Sequence, residues 1–138
     1  MRIDHYEFDD DIHALVESFE ACSFHPSEFR HYQHLVVALW YVRNLTAEEA
    51  LSRMTGGIRR LAEAYGKTGY HETITVFWLR LVSDFSSQAD DKSTLSSIAN
   101  ELIERYNDKN LIFDYYSREL LESPRAKAEW VEPDLKKL

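Results

Sequence analysis

Apolar residues recur every three or four positions over most of the chain, which is the spacing of helices that bury one face. The strict alternation of apolar and polar residues that marks a half-buried strand is absent from the sequence. The main apolar stripes run from Phe8 to Cys22, from Phe29 to Leu45, from Ala50 to Tyr65, from Ile74 to Val82 and from Leu95 to Tyr106. The pattern predicts an all-α fold, a compact helical bundle of about five to six helices.

Several residues mark where these helices begin and end. Pro26 suits an early helical position, so we expect the second helix to begin near it and to run to about Asn44. Thr46 and Glu49 have the spacing of a capping box at the start of the third helix. Gly66 fits the end of that helix, because glycine adopts the left-handed conformation that closes many helices.

Two parts of the chain give weaker helical patterns. The pair Gly56-Gly57 lies inside the third helix, where each glycine costs about 1 kcal/mol relative to alanine, so it predicts either a close helix crossing or a bend. A shorter segment, Leu111 to Leu121, follows the fifth helix. The tail after Pro124 is consistent with one further short helix, and its order is left open.

Composition limits the class of protein. A chain of 138 residues fits one domain, here 1–138, with a single core. The formal net charge of −8 argues against nucleic acid or an anionic membrane as the main partner. A single cysteine, Cys22, excludes an internal disulfide framework, and no apolar run reaches the length of a membrane span. We therefore expect a soluble, cytoplasmic protein whose partner is a small molecule.

The candidate chemistry lies in two short stretches that contain histidine. In the first, Glu28, His31 and His34 follow one another at intervals of three residues, so on one helix they would spread over roughly 120° of its surface. His31 shares the apolar face with Leu35 and Ala38, which places it toward the interior. His34 and Glu28 lie toward the two edges of that face and can join His31 at one centre.

The second stretch places His71 and Glu72 at the start of the fourth helix. His71 lies on the same stripe as Ile74 and Trp78 and therefore also faces inward. A helix N-terminus disfavours a positively charged imidazolium, so the His71 ring is expected to be neutral. A neutral ring suits a metal ligand and equally suits an uncharged catalytic donor.

The sequence predicts a mononuclear metal site formed by His31, His34 and His71. A second Glu-x-x-His pair, which carboxylate-bridged di-iron bundles require, is missing, so one ion of zinc or iron fits the residues better. Glu28 or Glu72 would be a fourth ligand or a general base. An open coordination position would then make the protein a small metal-dependent enzyme that acts on a small molecule.

Three aromatic residues near the histidines are candidates for binding the substrate: Tyr32, Tyr70 and Trp78. Aromatic side chains also dominate ordinary cores, so packing is the competing interpretation for each of them.

Two other interpretations stay open. The histidines can line a metal-free pocket, or they can be core residues bonded to backbone carbonyls or tyrosines. The protein would then be a non-catalytic helical domain that binds a ligand or another protein, including a second copy of itself as a homodimer.

The motifs Phe29-x-His31-x-x-His34-Leu35-x-Val37-Ala38 and Tyr70-His71-Glu72-Thr73-Ile74-Thr75 resemble those of an uncharacterised family of small bacterial helical domains. The resemblance covers roughly residues 24 to 85. It implies that the two stretches contribute to one site, and it implies no catalytic role.

Overall fold

The computed structural model describes residues 5–67 and 70–138. These residues form helices and turns without a β-strand, which confirms the predicted all-α class. The five long helices are α1 (Asp9–Glu20), α2 (His31–Asn44), α3 (Ala47–Ala64), α4 (Glu72–Ser87) and α5 (Leu95–Tyr106). Two short α-helices, α6 (Arg118–Leu121) and α7 (Pro124–Ala128), and two 3₁₀ helices, Pro26–Glu28 and Lys109–Asp114, complete the described elements. Among these helices none is both long and apolar enough to cross a bilayer.

Helix α2 is the centre of the fold. It packs against α1, α3, α4 and α5. Residues 35 to 39 are all buried, so the helix is covered on nearly every side at its middle. A helix that is apolar all round has this position in a bundle, because no face of it gains from contact with water.

The two glycines of α3 mark a close helix crossing. Helix α3 is continuous from Ala47 to Ala64, so the pair does not break it. A Cβ atom added at Gly57 would overlap the ring of Phe19, a fully buried residue of α1. The absence of a side chain at Gly57 therefore lets α1 and α3 approach each other.

The start of the second helix differs from the prediction, which was wrong on this point. Pro26 begins a separate 3₁₀ helix, Pro26–Glu28, and α2 begins only at His31. Two local hydrogen bonds close the 3₁₀ turn: the Glu28 carboxylate accepts from the His25 backbone N–H (3.0 Å), and His25 Nδ1 accepts from the Ser27 N–H (3.1 Å). Glu28 therefore does not share a helix with the two histidines that follow it.

The segment after α5 is short helical pieces that pack onto α4. The expected segment Leu111 to Leu121 is divided between the 3₁₀ helix Lys109–Asp114 and α6, and the short helix expected after Pro124 is α7. Thr73 on α4 is fully buried, and its hydroxyl donates to the Glu129 carbonyl (2.8 Å) and accepts from the Val131 N–H (3.2 Å). These bonds attach the C-terminal segment to the start of α4, beside the histidine motif.

Candidate functional site

A cavity of about 750 Å³ lies between α2, α3, α4 and the segment that follows α5. We call it the α2–α4 pocket. Its wall is largely apolar, with a few polar side chains. It is lined by Phe29, Arg30, His31, His34, Leu35, Ala38, Met54, Ile58, Ala62, Tyr70, His71, Ile74, Thr75, Trp78, Leu79, Lys109, Asn110, Ile112, Phe113 and Leu121. The volume is in the range of pockets that enclose small organic molecules.

The structure brings five of the eight predicted site residues to this pocket. They are His31, His34, Tyr70, His71 and Trp78, and they come from both histidine stretches. The two stretches meet because α2 and α4 pack side by side at the centre of the bundle.

The other three candidates, Glu28, Tyr32 and Glu72, are not part of the described pocket wall. Glu28 is held on the preceding 3₁₀ turn by its bond to His25. The Glu72 carboxylate accepts a hydrogen bond from the Tyr70 hydroxyl (2.5 Å). As a result, neither predicted general base faces the cavity in this structure.

His71 is fixed by the backbone on both sides of its ring. It precedes α4 as the N-cap, and its Nδ1 accepts a hydrogen bond from the Ile74 N–H (3.2 Å). Its Nε2 donates to the Leu121 carbonyl (2.6 Å), because a carbonyl only accepts. One acceptor and one donor define a single neutral tautomer. The ring links the start of α4 to α6 and has no free nitrogen for a metal in this arrangement.

His31 keeps one ring nitrogen free of bonds to the described residues. Its Nε2 donates to the Tyr106 carbonyl at the end of α5 (3.0 Å), and its ring meets Trp78 edge to face with centroids 4.4 Å apart. Burial lowers the pKa of His31 below its usual value of 6.5, and this effect exceeds the opposing one of the Tyr106 carbonyl. The ring is therefore neutral at pH 7, with Nδ1 left as an acceptor.

His34 is the most strongly perturbed titratable group of the pocket. Burial, reinforced by the nearby His31, lowers its pKa to about 4, although the Phe29 carbonyl acts in the opposite direction. The imidazole packs against the Phe29 ring, with centroids 3.9 Å apart and the ring planes tilted by 30°. At neutral pH the pocket therefore carries uncharged imidazoles, which can donate or accept single hydrogen bonds.

Tyr70 stands in the pocket wall between two charged groups. Its hydroxyl donates to Glu72, and the guanidinium of Arg59 lies 4.5 Å from the centre of its ring. Burial and the bond to Glu72 raise the pKa of Tyr70 to about 12. The phenol is therefore protonated at neutral pH, and its hydrogen bond is donated to Glu72.

The predicted metal site stays a prediction. Among the residues 5–67 and 70–138, no group of three or more His, Cys, Asp or Glu side chains is placed to hold an ion. A ligand set that included His71 would first have to break its bonds to Ile74 and Leu121. His31 and His34 alone are fewer protein ligands than zinc sites use.

Comparison with known proteins gives no functional information. No family model, curated protein or solved structure matches this chain. The pocket itself is therefore the basis for any functional argument.

Several pocket residues were not predicted from the sequence. Arg30 directly precedes His31, so its position in the sequence could have identified it as a pocket residue. Lys109, Asn110 and Leu121 come from the segment after α5, and Met54 comes from α3. The sequence around these four residues does not identify them as pocket residues, because only the packing of elements distant in the chain brings them to one cavity.

Proposed function

We propose that this protein binds a small, largely apolar molecule in the α2–α4 pocket. The supporting observation is the pocket wall: twelve of its twenty residues are aliphatic side chains, phenylalanine or tryptophan, and the buried Trp78 and Met54 are among them. Burial of apolar surface contributes about 25 cal/mol per Å². A ligand that fills a pocket with such a wall therefore gains most of its affinity from burying its own apolar surface. The few polar groups would then orient it.

The histidines support binding more directly than metal-dependent catalysis. Two of the three rings donate to backbone carbonyls, and both carboxylates proposed as bases are engaged outside the cavity. His31 Nδ1 and the His34 ring remain able to make hydrogen bonds with a ligand. On this proposal His71 is structural, and His31 and His34 select the ligand.

Binding can be tested with the neutral fluorescent probe N-phenyl-1-naphthylamine, whose emission rises in apolar surroundings. We expect saturable binding with a stoichiometry of one. Ala62→Phe should abolish it, because Ala62 lines the pocket. Ala64→Phe is the matched control, since Ala64 lies on the same helix, is exposed and is not part of the wall.

The outcomes separate the candidates. Equal binding by both variants would place the probe elsewhere and contradict the proposal, as would a lack of binding by the parent. Elemental analysis of the untagged protein tests the metal-dependent enzyme. About one equivalent of zinc or iron, lost in a folded His31→Ala/His34→Ala variant, would favour that enzyme over the proposal made here.

A further inference from the structure

The charge of the α2–α4 pocket is opposite to that of the chain. The chain has 24 acidic and 16 basic residues, yet the described wall contains Arg30 and Lys109 and no carboxylate. A set of residues drawn at random from this chain would on average carry a net negative charge. The local excess of positive charge therefore indicates the charge of the ligand that the pocket accepts.

The two cations lie at the same end of the pocket. Arg30 immediately precedes His31, and the His31 ring donates to the Tyr106 carbonyl, which lies shortly before Lys109 in the chain. The charges of Asp108 and Lys109 both act on that ring, in opposite directions. Both residues are exposed, whereas the wall also contains the buried Met54 and Leu121. The pocket is thus amphipathic, with a cationic mouth and an apolar interior.

Neighbouring carboxylates do not neutralise this mouth by direct pairing. Within the part of the chain that the structure describes, no ion pair joins Arg30 or Lys109 to an acidic residue. Asp108 is adjacent in sequence, but its carboxylate caps the next turn by accepting from the Asn110 N–H (3.0 Å), and it does not line the cavity. The N-terminus of α2 adds its partial positive charge at the same place.

From these observations we infer that the ligand is an amphipathic anion, a carboxylate with an apolar body. The carboxylate meets Arg30 and Lys109 at the mouth, and the apolar body occupies the interior next to Trp78 and Met54. Arginine is suited to this task because its planar guanidinium can bind both oxygens of one carboxylate. This inference rests on the proposed function and adds the charge of the ligand to it.

The experiment compares two compounds of nearly equal shape, 1-naphthaleneacetate and its uncharged amide, 1-naphthaleneacetamide. Each competes with N-phenyl-1-naphthylamine for binding to the 138-residue chain at low ionic strength. We expect the acid to compete about tenfold better than the amide, and the difference to shrink as salt is added. In Arg30→Gln/Lys109→Gln the preference should disappear, while the amide competes as before. Lys92→Gln, which changes an exposed lysine outside the pocket wall, is the control for overall charge.

The two claims fail in different ways. If the probe binds the pocket but acid and amide compete equally, or neither competes, the ligand charge is wrong and the proposed function stands. A preference for the acid that survives in the double variant also overturns the inference. If the probe does not bind at all, or Ala62→Phe leaves its binding unchanged, the proposed function itself has failed.

Discussion

At the scale of single residues, backbone partners decide what the histidines can do. His71 and His31 donate to carbonyls that lie 50 and 75 residues away in the sequence, at Leu121 and Tyr106. The sequence predicted that both rings face inward and that His71 is neutral. It could not predict these acceptors, because a helical stripe indicates a direction and not the group found there. Metal ligation and carbonyl bonding therefore looked alike from the sequence.

Replacing His71 measures its structural role. His71→Ala removes the N-cap of α4 and leaves the Leu121 carbonyl without its donor, so we expect a loss of about 2 kcal/mol in the free energy of unfolding. His71→Asn restores a capping oxygen and should recover about half of this loss. Urea denaturation with and without a chelator is the measurement. A parent protein that falls to the stability of His71→Ala only when chelator is present would show metal ligation instead.

The lowered pKa of His34 makes stability depend on pH. The unfolded ring takes up a proton near pH 6.5, and the folded ring does so only near pH 4, so protonation favours the unfolded chain between these values. This contribution is complete above pH 6.5 and is lost as the pH falls toward 4. Since one pKa unit corresponds to about 1.4 kcal/mol, the loss is roughly 3 kcal/mol.

The check compares the parent with His34→Gln, which cannot titrate. Between pH 7 and pH 4 the parent should lose roughly 3 kcal/mol more than the variant, because all other titrating groups are shared. Parallel stability curves would show that His34 is solvated in the folded protein.

At the scale of elements, the long helices follow their apolar stripes closely. The capping box at Thr46 forms as predicted, with the threonine hydroxyl accepting from the Glu49 N–H (3.1 Å). Gly66 follows α3 with φ +66°, the left-handed conformation expected there. The start of α2 was mispredicted because the competing bonds of His25 and Glu28 close a separate turn.

The glycine pair of α3 allows a matched test of helix packing. Gly57→Ala forces a methyl group against the buried Phe19 ring, so we expect a loss of about 1 to 3 kcal/mol. At Gly56 the added methyl group meets only the flexible end of Arg60, at 3.3 Å, and alanine favours the helix. Gly56→Ala should therefore be neutral or stabilising by up to about 1 kcal/mol. Thermal unfolding compares the two, and equal effects would contradict a close crossing at Gly57.

At the scale of the whole molecule, α2 and α4 bring the two histidine stretches together. Five of the eight residues selected from the sequence line one cavity. Helical periodicity predicted an inward position for His31, His71 and Trp78, whereas Tyr70 was selected for its closeness in sequence to the histidines. The cavity and its cationic mouth lay beyond sequence reasoning. They depend on how α3 and the segment after α5 pack against α2 and α4, and no local pattern near Met54 or Lys109 encodes that arrangement.

The central claim is that the α2–α4 pocket encloses a small molecule, and Met54 can report on it directly. The chain has two methionines, and Met54 is buried in the pocket wall, while Met1 lies outside the described residues. The measurement is a methyl NMR titration of protein labelled with ¹³C at the methionine methyl groups, with N-phenyl-1-naphthylamine as ligand and Met54→Leu to assign the signals. Binding in the pocket should shift the Met54 signal through the aromatic ring current of the probe. A Met54 signal that stays in place while the probe saturates the protein would contradict the account.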